Sequence, residues 1–274
     1  MNCVTLLTDF GLVDEYVGVM KGVIMTIHPA AAIVDLCHEI PPQDIAAAAR
    51  MLRAAYPYFP GGTVHVCVVD PGVGTHRAVL AARADGHCFV GPDNGVLFPL
   101  LQEAAVEAVV RAERSEFFLP EISRTFHGRD IFAPVAAHLL RGVPITALGR
   151  TAAIDELVPL VLSKPQTGPD GTVTGAIISA DRFGNLLTDI EHRHIAPLAD
   201  AGTPIEIRVG DVTISGLSPH YGRPDGKTCR AVIGSRGHLE IAVSGGSARR
   251  RLQLRPGDPV VVRRKASDGM GGNP

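Results

Sequence analysis

The chain has 274 residues, a formal net charge of −2, and 46% hydrophobic but only 5% aromatic residues. That length allows one large domain or two ordinary ones, with an aliphatic core large enough to need no staples. The charge balance argues against a polyanion-binding surface, so no nucleic-acid partner is expected.

The first part alternates strand-like and helix-like segments. A strand over 3–7 ends at Thr8 and Asp9, and a helix over 16–28 stops before Pro29. A second strand over 31–36 and an Ala-rich helix over 45–55 follow, the latter ending before Pro57. Strands over 63–69 and 87–90, a helix over 95–104 and a strand over 108–111 come next. An apolar helix over 131–140 carries Pro134 in its first turn. Such alternation predicts an α/β domain over 1–163 with a mostly parallel central sheet. The Pro- and Gly-rich segment KPQTGPDG, 164–171, reads as a linker. Short strands over 173–179, 186–190, 205–209, 212–215, 239–243 and 260–263 then predict a smaller antiparallel, barrel-like β domain over 172–266. The Gly-rich tail 267–274 is expected to fray.

Five scattered cysteines, Cys3, Cys37, Cys67, Cys88 and Cys229, form no CxxC pair. Reduced thiols are the expectation, with no zinc site. The apolar run over 3–7 is too short for a signal peptide, and no stretch approaches ~20 apolar residues, so a cytoplasmic protein with no membrane partner is expected.

Polar residues past the strand ends carry the chemistry. The run VVDPGVGTHR, 68–77, ends an apolar strand on Asp70 and breaks on Pro71, Gly72 and Gly74. Arg77 can turn back to pair with Asp70. A turn merely capped by Asp70 is the competing reading. Asp9 in TDFG, Asp70, and Asp93 and Asn94 in GPDNG would share the carboxyl edge of a parallel sheet, where ligands bind. His127, in the Gly-flanked TFHGRD, has the residue type of a titrating group at a pocket mouth; Arg129 and Asp130 can pair with each other. In the second domain, DRFGN, 181–185, is either a hairpin turn with a packed Phe or a ligand clamp offering a carboxylate, an aromatic face and an amide. Ser235 and Arg236 suit a carboxylate. GVGTHR lacks the third glycine of a dinucleotide fingerprint, and no phosphate loop or nucleophile elbow occurs. Asp9, Asp70, Asp93 and His127 have no metal-ligand spacing, so no metal is assigned.

TDFG, VVDPGVGTHR, GPDNG, TFHGRD, DRFGN and SRGHLEIAVSGGSA stand here in one order. With these six motifs the chain resembles the S-adenosyl-L-methionine (SAM) hydroxide adenosyltransferases, the adenosine-forming SAM hydrolases related to fluorinating and chlorinating enzymes. The resemblance implies an α/β domain followed by a β domain, and a homotrimer with each site between subunits. It implies SAM as substrate and no cofactor. It places Asp70, Arg77 and His127 as the catalytic set, Asp9 at the ribose hydroxyls and Asp181 at the methionine ammonium. Phe183 and Asn185 match adenine-facing positions, Tyr221 an aromatic stacked on the base, and Ser235 and Arg236 the methionine carboxylate receptor. The backbone near Gly245 meets the adenine amino group, and Asn94 lies among the substrate-binding positions. The implied reaction is in-line attack of water or hydroxide at ribose C5′, expelling methionine. Halide attack is the nearest rival, disfavoured because a carboxylate at Asp70 repels a halide and Gly128 lacks the hydroxyl a fluorinating relative presents there. A non-catalytic SAM or nucleoside sensor and a metal-dependent hydrolase are the others.

Overall fold

The computed structural model describes residues 2–199, 204–222 and 228–265. The chain divides between Leu162 and Ser163 into two compact units. The tail expected to fray, 267–274, lies outside the described residues.

The first unit runs β1 (Cys3–Thr8), α1 (Tyr16–Ile27), β2 (Ala32–Cys37), α2 (Ile45–Ala55), β3 (Val64–Val68), β4 (Val79–Ala84) and β5 (His87–Pro92). It continues with α3 (Phe98–Glu103), β6 (Val106–Ala112), α4 (Ala133–Leu140) and β7 (Gly149–Thr151). The sheet order is β2-β1-β3-β5-β4-β6-β7. β2, β1, β3 and β5 pair in parallel, while β4 and β7 run antiparallel to their neighbours. β1 and β3 are near-continuous apolar runs because both faces are covered. Val4, Leu6, Val64 and Val66 meet Met20, Ile24 and Val135 on one side. Leu7, Cys67 and Phe89 meet Ala48, Leu52 and Leu100 on the other. α2 is built of strong helix formers, and the Asp44 side chain caps it by accepting the Ala47 amide at 2.8 Å. Since β1, β3 and β5 run in parallel, the loops after Thr8, Val69 and Pro92 leave from one edge of the sheet.

Two local features depart from the sequence reading. β4 was not expected; it forms a hairpin with β5 through Asp85 and Gly86, at φ 50° and 73°. The helix expected over 131–140 is preceded by a π turn, Gly128–Phe132, and α4 proper starts at Ala133 with Pro134 in its first turn. The sheet also buries a polar pair. Thr5 Oγ1 lies 2.8 Å from His65 Nδ1, and His65 Nε2 lies 3.2 Å from His87 Nδ1. Burial, then the charge of His87, pushes His65 down to about 3, so it stays neutral in the core.

The second unit runs β8 (Gln166–Thr167), β9 (Val173–Ala180), β10 (Leu186–Glu191), α5 (His192–Ala199), β11 (Ile205–Val209) and β12 (Val212–Ser215). β13 (Cys229–Ile233), β14 (His238–Val243), α6 (Ala248–Leu252) and β15 (Pro259–Arg264) complete it. The antiparallel path β12-β11-β15-β9-β10-β14-β13 curls until β12 lies against β13, nearly closing a barrel around Val173, Ile190, Ile207 and Ile241. β8, inside the segment read as a linker, pairs with β9. β13, α5 and α6 were not anticipated. Among the described residues no helix is long and apolar enough to cross a membrane.

Candidate active site

Asp70 leaves β3 into a tight turn in which the Val73 amide bonds the Asp70 carbonyl at 3.2 Å. The turn brings Arg77 back onto Asp70. Arg77 Nε donates to Oδ1 at 3.1 Å and Oδ2 at 2.9 Å, and Nη2 donates to Oδ2 at 2.5 Å. The Arg77 and Asp70 side chains are only 9% and 4% exposed, so this pair is desolvated and held, unlike a surface ion pair. Arg77 Nη2 also lies 2.7 Å from His127 Nδ1, which makes the three residues one bonded set.

His127 is delivered by the loop before the π turn. Asp130, fully buried, accepts the Ser123 amide at 2.8 Å and Arg129 Nε at 2.6 Å. Ser123 Oγ accepts the Phe126 amide at 2.9 Å. The His127 basicity is pushed down, first by burial and then by the Arg77 charge, against the opposing pull of Asp70 and Asp130. The imidazole is therefore neutral at pH 7. Arg77 has only protons to offer, so Nδ1 is the acceptor and the ring proton sits on Nε2. A cavity of ≈ 350 Å³ reaches both Arg77 and His127 and is also lined by His76, Arg111, Phe118 and Ile131.

Asp9 Oδ2 accepts the Gln43 amide at 2.8 Å, and Oδ1 has no partner among the described residues. Asn94 is occupied at both ends of its amide. Nδ2 donates to the Val69 carbonyl at 2.8 Å, and Oδ1 accepts the Val96 amide at 3.2 Å. It therefore braces the residue before Asp70.

The remaining sequence-derived residues lie in the second unit. Asp181 accepts the Asn185 amide and side chain, both at 2.8 Å, which closes the DRFGN turn. Gly184, at φ +86°, packs on Ser247, where a Cβ would collide with the hydroxyl. Phe183 at the tip is 79% exposed, so the packed-Phe reading of this hairpin does not hold. Asp181, Phe183 and Gly245 line one concavity of ≈ 750 Å³. Tyr221, Ser235 and Arg236 lie outside that lining. Tyr221 donates to Glu240 Oε2 at 2.7 Å. Burial, then Glu240, then the charge of Asp181 push the Tyr221 phenol up to about 12.

Residues 4–149 match the SAM hydroxide adenosyltransferase N-terminal domain, and residues 175–261 match the C-terminal domain of the same family. A Thermus thermophilus protein named (R)-S-adenosyl-L-methionine hydrolase is 41% identical over 271 residues, covering 95% of this chain and 99% of that protein. The chain belongs to the SAM hydroxide adenosyltransferase family. A solved structure of an uncharacterized conserved protein from Thermotoga maritima is 37% identical, with a TM-score of 0.88 over 95% of this chain and 100% of that one. More distant is an Actinoplanes protein named fluorinase, 29% identical over 75% of this chain and 77% of that protein.

Sequence reading of this family member missed Glu240. It is 5% exposed, packs against Gly234 next to Ser235, and holds the Tyr221 hydroxyl. The signal was a carboxylate within LEIAV, where burial of the whole strand leaves no solvent face. Gly128 sits in a confined spot. A Cβ there would stand 3.1 Å from both Met20 Sδ and the Phe126 ring and 3.3 Å from the Phe10 ring. Among the described residues no cluster of three or more His, Cys, Asp or Glu is arranged to hold a metal ion.

Proposed function

We propose that this protein hydrolyses SAM to adenosine and L-methionine by attack of water at ribose C5′. The observation that carries the reading is the bonded Asp70–Arg77–His127 set in a chain of this family. The (R) sulfonium epimer is the proposed form, following the printed name of the Thermus thermophilus relative.

In the reaction the water oxygen forms a bond to C5′ as the C5′–S bond breaks. The bonding pair goes to sulfur, which leaves as a neutral thioether. No acid is needed for that leaving group, so the demand falls on orienting the water and taking its proton. His127, with its proton on Nε2, is a donor and holds the water oxygen. Asp70 takes the proton, because its carboxylate has about four lone-pair sites and Arg77 makes three contacts to it. The proton then passes to solvent. No cofactor enters this scheme, and the proposed substrate contacts are Asp9 on the ribose, Phe183, Asn185, Tyr221 and Gly245 on the adenine, and Asp181, Ser235 and Arg236 on the methionine.

The proposed assembly is a homotrimer with each site built between subunits. Its support is the division of the ligand groups between two units, together with apolar side chains left in water. Leu12 and Val13, near Asp9, are 65% and 98% exposed. No nucleic acid or membrane is a proposed partner.

The test is incubation of chelator-treated protein with SAM in ¹⁸O-labelled water. Methionine together with adenosine labelled at the 5′ oxygen is expected. Unlabelled methylthioadenosine alone, the product of spontaneous decay, would reject the reading.

A further inference from the structure

The Asp9 turn is held by a histidine that the reaction scheme does not use. β1 and β2 run in parallel with Leu7 opposite Cys37, so Thr8 and His38 leave the sheet side by side. His38 is 3% exposed. Its Nδ1 lies 2.8 Å from Thr8 Oγ1, which also accepts the Phe10 amide at 3.2 Å. Its carbonyl accepts the Gly11 amide at 2.7 Å. The chain on both sides of Asp9 is thus tied to one side chain and its backbone.

The far side of the ring is also engaged. His38 Nε2 faces Asp35 Oδ1 at 3.1 Å, off the line of a formed hydrogen bond. Asp35 Oδ2 takes Lys21 Nζ at 2.6 Å. Burial pushes the Asp35 carboxyl up, but Lys21 and His38 outweigh it and hold the group below the usual carboxylate range. The Nε2 position carries a proton toward the Asp35 carboxylate, and Nδ1 shares a hydrogen bond with the Thr8 hydroxyl. Gln43, on the same loop as His38, adopts φ +65°, a costly conformation for a non-glycine residue, and donates its amide to Asp9 Oδ2. The loop after β2 therefore fixes both the backbone around Asp9 and one of its two oxygens. The other oxygen, Oδ1, is the one left for a ligand.

We propose that His38 is a positioning residue that sets selectivity for an intact ribose diol, by holding the turn that aims Asp9 at the sugar hydroxyls. The proposal rests on the SAM-hydrolase reading and on Asp9 facing the ribose. Its physical basis is that a carboxylate must be held within about 0.5 Å to accept a hydroxyl well.

The test compares kcat/KM for SAM and for its 2′-deoxyribosyl analogue in wild type, Asp9→Asn, His38→Leu, His38→Asn and Thr8→Val. A hydrogen bond from a hydroxyl to a carboxylate is worth roughly 10–100-fold, so wild type should prefer SAM by that factor. His38→Leu should lose most of this preference, with KM for SAM rising more than kcat falls. His38→Asn, which places an amide able to bond Thr8 near the Nδ1 position, should recover it. Thr8→Val removes the same bond at similar volume and should lose the preference even where His38→Leu fails to fold. A general loss of structure would lower both rates and leave their ratio unchanged. Wild-type selectivity in folded His38→Leu or in Thr8→Val overturns the proposal while Asp9 stands. Wild-type selectivity in Asp9→Asn overturns the ribose assignment and the proposal with it. No SAM hydrolysis by wild type is the separate failure of the hydrolase reading, and the proposal falls with that too.

Discussion

His127 can accept from Arg77 at Nδ1 only while its ring is neutral, because a second ring proton would face the guanidinium and open the set. Burial and the Arg77 guanidinium hold it in that state by pushing its basicity down. Activity should therefore persist below pH 6.5 and be lost on an acid limb that lies under the ordinary histidine range. Arg77→Gln removes the charge that depresses His127, so the acid limb of kcat/KM should move to higher pH. Asp70→Asn removes a charge that raises it, so any residual activity should show the limb at lower pH. A pH–rate profile that stays in place in Arg77→Gln would show that His127 does not control it. His127→Ala should lower kcat by about 10²-fold, the cost of misplacing a reacting group. Residue type and loop position singled out Asp70, Arg77 and His127 one by one, and the motif resemblance joined them into one set. The bracing contacts of Asn94 were not legible, because a sequence does not show that its amide holds the backbone of Val69 and Val96.

The two loops that build this set are coupled at one close approach. Gly74, in the loop between Asp70 and Arg77, has φ +77°, and a Cβ there would run into the Arg124 carbonyl oxygen, three residues before His127. Gly74→Ala must therefore strain its own backbone and push the His127 loop away. A stability loss of about 1–3 kcal/mol is expected, with kcat falling roughly 10- to 100-fold as the set opens. Gly86→Ala is the control. It has a similar φ of +73° but meets nothing within 4 Å, and it lies in the β4–β5 turn. It should lower the melting temperature and leave kcat unchanged. Equal kcat losses in both variants would mean that the Arg124 contact does not position His127. The inner parallel strands β1, β3 and β5 were legible at this scale because burial on both faces writes them as apolar runs. β4 was not, since the alanines of VLAARA favour helix over strand, and its clearest cue was the Asp85–Gly86 turn. The π turn was hidden because Gly128–Phe132 continues directly into α4, and an extra residue in one turn leaves no mark on composition. β13 and β8 each form a local hairpin with the strand that follows, but CRAVI carries an arginine mid-strand and β8 is only two residues long, so neither writes a clear strand pattern.

For the whole molecule, the proposed catalytic set lies in the first unit and Phe183, Ser235 and Arg236 lie in the second. If each site joins the first unit of one subunit to the second unit of another, two defective chains can repair each other. Asp70→Asn removes the proton acceptor and leaves the second unit intact. Arg236→Ala removes the proposed carboxylate receptor and leaves the first unit intact. Each variant alone should be nearly inactive at SAM concentrations below the wild-type KM. In mixed oligomers assembled from equal amounts, a working site needs a first unit from the Arg236→Ala chain and a second unit from the Asp70→Asn chain. In a cyclic trimer that holds both chains, one of the three interfaces has that arrangement, so about a third of the sites should be wild type. Co-expression with two affinity tags, purification through both, and an assay for adenosine would read this directly, with sedimentation at three chain masses as the companion result. Activity no greater than the sum of the two variants would place each site within a single chain and remove the shared-site trimer, while leaving the chemistry at Asp70 untouched.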